Sequence, residues 1–212
     1  MNSRARQLIC ILLIMMGSHA HAQFAGLQVG RIQPLSNISY FYGNSWQFTL
    51  FNQSSFTESD YLRIGQSFEF SPLSVRSDTF NIVYFDDLNY DEVVPGILVI
   101  DRAMLFGLSV FVDGCPYQPP GIDLFGFGGI GARFGWFSMS YTRDYYGGTA
   151  APSLSYTGPE YYGGVSGRLG VEYEFNEMLV AGILFERSLN YNFDTSEFVD
   201  YYGLGIRIGY YY

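Results

Sequence analysis

The sequence contains no lysine, and charged residues of either sign make up only 15% of it. Both histidines, His19 and His21, lie near the N-terminus, and Cys115 is the single cysteine beyond residue 22. The rest of the chain therefore lacks the usual general bases that activate a serine or water nucleophile near neutral pH. One cysteine also excludes an internal disulfide framework, so we expect Cys115 to be a loop thiol, with a disulfide to a partner protein left open.

The first 22 residues have the parts of a secretory signal peptide. Arg4 and Arg6 form a basic start, Leu8–Met16 is an apolar run of nine residues, and small residues lead to Ala22. The apolar run is too short to cross a bilayer as a helix. We predict that residues 1–22 are a cleavable export signal. The remaining chain has nine arginines against 20 acidic residues, a net charge of −11, which leaves no basic patch for nucleic acid.

The sequence is rich in glycine, tyrosine and phenylalanine, with 25, 19 and 19 residues. Beyond residue 22 no apolar run is long enough for a membrane helix, while many segments alternate with the period of two that is typical of strands. The alternation predicts strands at 38–51, 61–70, 75–85, 93–100, 103–112, 122–134, 136–145, 163–175, 178–192 and 201–212. Short connections are expected at 71–74, 101–102, Gly135 and 176–178, and long ones at 52–60, 86–92, 113–121, 146–162 and 194–200.

Short turns on one side and long loops on the other are typical of transmembrane β-barrels. We predict an all-β fold, a transmembrane antiparallel up-and-down β-barrel of ten strands over residues 38–212. Eight strands remain an alternative if 93–112 is not a hairpin, and twelve if 24–33 joins the sheet. Residues 23–37 are expected to be an N-terminal periplasmic segment or a lumen plug. A soluble barrel is disfavoured because aromatic residues concentrate at two levels, as in lipid–water girdles, with Tyr162 and Tyr201 expected at one level and Trp136 at the other.

The last strand has an apolar or aromatic residue at every second position, at Leu204, Ile206, Ile208, Tyr210 and Tyr212. With the signal peptide and the turn–loop asymmetry, this pattern resembles the small outer-membrane β-barrel proteins of Gram-negative bacteria, of the OmpA-like or OmpX-like kind. The resemblance implies a location in the outer membrane, contact with its lipid, and recognition of the last strand by the barrel-assembly machinery.

Charged residues recur on the side of the strands opposite the apolar face, and we predict that they form a neutralised network in the lumen. The eight residues are Arg63, Glu69, Arg133, Arg168, Glu172, Glu174, Glu186 and Arg207. A short turn at 176–178 sets Arg168 opposite Glu186, and a symmetric loop before Tyr201 sets Arg207 opposite the same residue. We therefore predict an Arg168–Glu186–Arg207 triad.

Other motifs give weak support for chemistry. Gly126–Gly131 fits G-x-G-x-x-G, but a strand pattern follows it where a dinucleotide site needs a helix. The acidic clusters at 86–92 and 194–200 lack calcium-loop spacing and predict an electronegative rim. Outer-membrane barrel enzymes, which the chain resembles in architecture, use histidine in their active sites. We expect no catalytic residue, metal or cofactor.

Two functions remain open. The first is a structural or loop-mediated interaction role with a largely filled lumen, in which the loop 146–162 contacts an extracellular partner. The second is a small porin-like channel or transporter for small or lipophilic solutes. Inward phenylalanines favour the first, because a narrow barrel has little room for them: Phe41, Phe111, Phe125 and Phe127.

Overall fold

The computed structural model describes residues 23–55, 61–76, 79–85, 93–117, 121, 123–145 and 154–212. The strands in these ranges are β1 (Gln23–Pro34), β2 (Ser45–Ser55), β3 (Leu62–Pro72), β4 (Thr79–Phe85), β5 (Val93–Tyr117), β6 (Leu124–Tyr145), β7 (Leu154–Glu174), β8 (Leu179–Asn192) and β9 (Tyr201–Tyr211). One short 3-10 helix, η1, spans Ser36–Tyr40. In this part of the chain no helix combines the length and the hydropathy needed to cross a membrane.

Eight of the strands close into an antiparallel barrel in the order β1-β2-β3-β5-β6-β7-β8-β9, and β9 pairs back with β1. β4 pairs with the first part of β5 and runs in the same direction as β3. The predicted antiparallel barrel is confirmed. The favoured count of ten strands is wrong, and eight, the lower alternative, is the number that closes.

Three of the expected turns do not reverse the chain, which removes three of the ten predicted strands from the barrel, and β1, which is not among the ten, brings the number to eight. The predicted turn at 71–74 begins inside β3, and β3 and β4 pair with the same edge of β5. The predicted turn at 101–102 is a register shift between Ile100 and Arg102 within β5. Such a bulge bends a strand and looks like a break in its alternation. Gly135 lies inside the continuous strand β6, where a side chain would overlap the ring of Tyr162.

The expectation of a periplasmic segment or plug at residues 23–37 is also wrong. Residues 23–34 form β1, which pairs with β2 on one side and with β9 on the other. Its inward positions include Gly26 and Gly30. These glycines interrupt the hydrophobic alternation, so the sequence pattern predicts the strand poorly. The predicted strand at 38–51 begins at Ser45, after η1. The predicted signal peptide, residues 1–22, lies outside the described residues.

The two ends of the barrel differ, and they are named here by their connections. The turn end holds the connections 56–61, 118–123 and 175–178, and the loop end holds 35–44, 86–92, 146–153 and 193–200. The expected long connections at 52–60 and 113–121 are therefore wrong: both lie at the turn end and include strand residues. Cys115 is not a loop thiol, because it is buried in β5 in a cluster with Phe127 and Leu184.

An apolar belt covers the outside of the barrel. On β9, for example, Leu204, Ile206 and Ile208 are 59%, 63% and 54% exposed. Aromatic rings border the belt on both sides. Toward the loop end, the outward rings of Phe70, Phe106 and Trp136 stack side by side, with centroids 5.2 Å and 4.9 Å apart. Toward the turn end lie exposed aromatic residues that include Tyr61, Tyr173, Phe175, Tyr210 and Tyr212.

The predicted girdles were partly misassigned. Tyr162 and Tyr201 point inward and are 1% exposed, so they do not belong to the outer girdle. Trp136 lies in the row nearer the loop end, because its register partners are Phe106 and Tyr161. The wrong level of Trp136 follows from the predicted turn at Gly135, because a turn there would reverse the direction of the strand that contains Trp136.

Glycines inside the barrel make room for aromatic rings. A Cβ at Gly209 would overlap the ring of Phe24, and one at Gly65 would lie 2.5 Å from the ring of Phe111. The interior of an eight-stranded barrel is only just wide enough for its side chains. The inward rings of Phe24 and Phe111 therefore require glycine at the positions beside them.

We predict that Gly170→Ala destabilises the barrel, whereas Gly167→Ala on the same strand does not. A Cβ at Gly170 would overlap the ring of Phe127 and lie 2.7 Å from the carbonyl oxygen of Ile183, but a Cβ at Gly167 meets nothing within 4 Å. Overpacking of this kind costs about 2 kcal/mol of unfolding free energy. Urea titrations of the refolded proteins measure it, and equal midpoints for the two variants would contradict the packing argument.

Candidate functional site

Buried ionic side chains in contact with one another occupy the half of the lumen nearer the turn end. They are called the lower ion cluster and consist of Arg63, Asp113, Arg168, Glu172 and Arg207. Glu172 bridges two arginines, with contacts of 2.8 Å to Arg63 and 3.0 Å to Arg207. Gln53 extends the chain, because it accepts a hydrogen bond from Arg207 at 2.6 Å and donates one to Asp113 at 2.7 Å. Asp113 in turn lies 3.3 Å from Nε of Arg168.

The upper ion cluster, nearer the loop end, consists of Glu69, Arg133 and Glu186. Arg133 contacts Glu69 and lies 2.8 Å from Glu186. Neutral polar groups complete its surroundings, as Arg133 donates to Ser188 at 2.9 Å and Gln47 donates to Glu69 at 2.9 Å. The two clusters together hold four arginines and four carboxylates, so their formal charges cancel. Burial of so many charges is tolerated only with such pairing.

Each of the four buried guanidinium groups also lies over an inward aromatic ring. The distances from Cζ to the ring centroid are 4.6 Å for Arg63 over Phe125, 3.7 Å for Arg168 over Phe111, 4.1 Å for Arg207 over Phe51 and 5.1 Å for Arg133 over Tyr201. Cation–π contact of this kind stabilises a desolvated cation. The aromatic residues that fill the lumen therefore also help to hold its charges.

Apolar layers lie above and below the ion clusters. The ceiling, toward the loop end, contains Ile32, Leu105, Phe137, Tyr162 and Tyr201. The floor, toward the turn end, contains Phe24, Phe51, Phe125 and Val180, with Tyr211 packed against them. Hydrogen bonds tie the ceiling to the wall, because the Tyr162 hydroxyl donates to the carbonyl of Phe106 at 2.6 Å. The charged layer thus lies between two apolar layers.

The structure brings most of the predicted lumen residues together. Seven of the eight are buried and belong to the two clusters, while Glu174, at the end of β7, is only partly buried. Sequence reasoning missed Asp113, Gln47 and Gln53. The sequence pattern places Asp113 in a loop. It shares its inward phase with Ser109 and Phe111, and this alternation is the signal that identifies it as a lumen residue.

The predicted triad is half correct in register. Arg168 lies directly opposite Glu186, as expected from the tight turn at 175–178. Arg207 lies opposite Gly182 instead, and Glu186 faces Gly203. The β8–β9 loop is not symmetric, because Asn190 and Asn192 at the end of β8 bond back to Val199 and Glu197 of the loop. Glu186 contacts Arg133 on β6, two strands away, while Arg207 contacts Glu172 on β7.

Above the ceiling, the loop end contains a cavity of about 270 Å³, here called the outer pocket. Its walls come from the 35–44 segment, from β5, β6 and β7, and from the β8–β9 connection. Tyr42 lines it, with its hydroxyl donating to the sulfur of Met139 at 3.1 Å. Asn192 donates to Glu160 at 2.8 Å across the same cavity.

The remaining predicted sites are placed as follows. The alternate residues of the last strand, Leu204, Ile206, Ile208, Tyr210 and Tyr212, all lie on the outside of β9 or its end. Of the loop predicted at 146–162, residues 154–162 belong to β7, and 146–153 lie outside the described residues. The acidic cluster at 86–92 lies outside them as well. No group of three or more potential metal ligands occurs within the described part of the chain.

Solved structures share this fold at low sequence identity. Neisserial surface protein A aligns with a TM-score of 0.53 and 9% identity, covering 89% of this chain and 95% of that one. OprG from Pseudomonas aeruginosa aligns with a TM-score of 0.48 and 11% identity, covering 92% and 97%. No protein-family model and no curated protein matches the sequence. The likeness to Neisserial surface protein A confirms the fold that the resemblance inferred from the sequence implies, a small antiparallel β-barrel.

We predict that Glu172→Gln strongly destabilises the protein, because it leaves Arg63 and Arg207 buried without their shared carboxylate. Breaking a buried ion pair from one side costs about 3 kcal/mol or more. Glu174→Gln, two residues along the same strand and only partly buried, is the matched control and should change the unfolding free energy by less than about 1 kcal/mol. Urea unfolding midpoints of the refolded variants measure both, and similar midpoints would contradict a structural role for Glu172.

Proposed function

We propose that this protein is a non-conducting outer-membrane barrel that acts at its outer end, as a structural or interaction protein. The observation that carries the proposal is the enclosed lumen, in which paired charges lie between an apolar ceiling and an apolar floor. Such an interior, as the described residues form it, supports a lumen closed to solutes. The surface at the loop end is then the part that meets the exterior.

Placement in a membrane is supported by the inversion of polarity between the inside and the outside. The charged side chains are buried in the lumen, while large apolar side chains are exposed around the barrel. A soluble barrel would gain nothing from such a surface, but lipid is its natural solvent. The aromatic rows at both borders of the belt fit the two lipid–water interfaces. Longer connections face outward in such barrels, so we assign the loop end to the cell exterior.

An arginine introduced into the belt tests this placement. Ile206 lies midway along the lipid-facing side of β9, and Tyr202 lies at its border. Arginine at the bilayer midplane costs about 2–4 kcal/mol, and near an interface about 0–1 kcal/mol. We expect Ile206→Arg to lower the unfolding free energy in phospholipid vesicles far more than Tyr202→Arg does. Equal effects in denaturant titrations would contradict a lipid-facing belt.

A small channel is the second candidate, and one observation favours it. The layer between ceiling and floor is polar, with glutamine, serine, arginine and glutamate side chains, as in water-filled barrels. Those side chains, however, hydrogen-bond to one another across the lumen, for example Arg207 to Gln53 and Arg133 to Ser188. A conducting pore requires these contacts to open.

Single-channel recording in planar bilayers distinguishes the two candidates. We expect the inserted wild-type protein to give no discrete conductance steps, because the ionic layer is closed on both sides. Insertion is verified by heat-modifiable migration of the protein extracted from the membrane. Steps that change in size on Glu186→Gln would overturn the sealed-lumen proposal and establish the channel.

The remaining expectations belong to this proposal. The outward side chains of β9 are accessible to the barrel-assembly machinery before the barrel closes, and outer-membrane lipid is the permanent partner of the belt. An extracellular partner would approach the loop end, where β5, β6 and β7 are the longest strands, with 25, 22 and 21 residues. A membrane-spanning strand needs only about 9–11 residues, so these strands extend beyond the bilayer. No catalytic role is proposed.

A further inference from the structure

The outer pocket is the one cavity described above that opens at the exposed end of the barrel. Its base is the apolar ceiling, since Ile100, Phe137 and Val199 belong to both. A volume of about 270 Å³ corresponds to roughly nine water molecules at about 30 Å³ each. That space accommodates a molecule with one ring and a short side chain.

Aromatic rings form much of the pocket wall. Phe41, Tyr42, Phe137 and Tyr141 all line it. Tyr42 is 2% exposed and meets Phe137 edge to face, with centroids 5.6 Å apart. Burial, and secondarily the charge of Glu160, raise the pKa of Tyr42, so its ring presents a neutral phenol. Aromatic walls of this kind attract cations through the faces of their rings.

The ionisable groups of the wall carry negative charge. Glu160 and Glu197 line the pocket, and no arginine is among its lining residues in the described chain. Asn192, which is 3% exposed, donates to one oxygen of Glu160 and so holds that carboxylate at the pocket wall. The wall thus joins an apolar aromatic surface to carboxylates, with no arginine among the described residues that line it.

We propose that the outer pocket binds a small organic cation, an ammonium group attached to an apolar body of about one aromatic ring. The apolar body would fill the space against Phe137 and Met139, and the ammonium group would lie against Glu160. This inference goes beyond the sealed barrel and does not depend on it, because the pocket lies above the ceiling. A conducting lumen would leave the proposal standing, and an empty pocket would leave the sealed lumen standing.

Three ligands of similar size and different charge test the proposal on the wild-type protein. The probes are phenethylammonium, neutral 2-phenylethanol and anionic 3-phenylpropionate. The reporter is the methyl group of Met139, observed by NMR in protein labelled with [¹³C-methyl]methionine and refolded in zwitterionic micelles. Beyond residue 22 the only other methionines are Met104 and Met178, which lie outside the pocket and report partition into the micelle.

We expect phenethylammonium to shift the Met139 signal saturably, with an affinity about tenfold above that of the alcohol and with no saturable shift from the anion. Met104 and Met178 should remain unchanged. Equal affinities for the amine and the alcohol, or a shift of all three methionines together, would overturn the proposal. So would the absence of any saturable shift at Met139.

Two variants then test the carboxylates. Glu160→Gln should weaken phenethylammonium binding about tenfold and leave binding of the alcohol unchanged, because glutamine keeps the shape and loses the charge. Glu197→Gln should weaken it less, because this residue is exposed. Glu177→Gln, in the exposed turn at the opposite end, is the matched control and should bind as the wild type does. Unchanged binding by Glu160→Gln would refute the cation site.

Discussion

The interior of an eight-stranded barrel must be filled by its own side chains, and the rest of this structure depends on that constraint. Four arginines and four carboxylates occupy the lumen, and each arginine is paired with an acid and lies over a ring. Glycine supplies the space that the rings require. This use of the interior is the reason why the proposed function assigns encounters with other molecules to the ends and to the outside of the barrel.

The architecture could be predicted because a strand with an apolar outward face is recognisable from the alternation of its own residues. Alternation such as Leu204, Ile206 and Ile208 against Gly203, Gly205 and Arg207 needs no knowledge of the neighbouring strands. The lumen phase of the buried arginines follows from the same alternation. The strand count failed where local signals had two meanings: a bulge beside Arg102 and a space-making Gly135 both look like turns. Their meaning depends on what lies across the barrel.

The contacts within the lumen could be predicted only where a connection was short. The tight turn after β7 fixes the pairing of Arg168 with Glu186, whereas the folded loop after β8 shifts Arg207 by four residues from its expected partner. Contacts such as Arg133 to Glu186 join strands that are not neighbours in the sheet. The register between neighbouring strands therefore does not predict them. The outer pocket is beyond sequence reasoning for the same reason, since its wall is assembled from segments far apart in the chain.

The pairing of β1 with β9 has a consequence for how the barrel is made. Phe24 meets Tyr211 at this seam, so the first described strand finds its last neighbour only after nearly the whole chain has arrived. Contacts of such long sequence separation form slowly, because loop closure must precede them. Until the seam closes, the edges of β1 and β9 are unpaired and the arginine layer is open on one side. A chain that lacks β9 therefore leaves one edge of β1 and one edge of β8 without their partner.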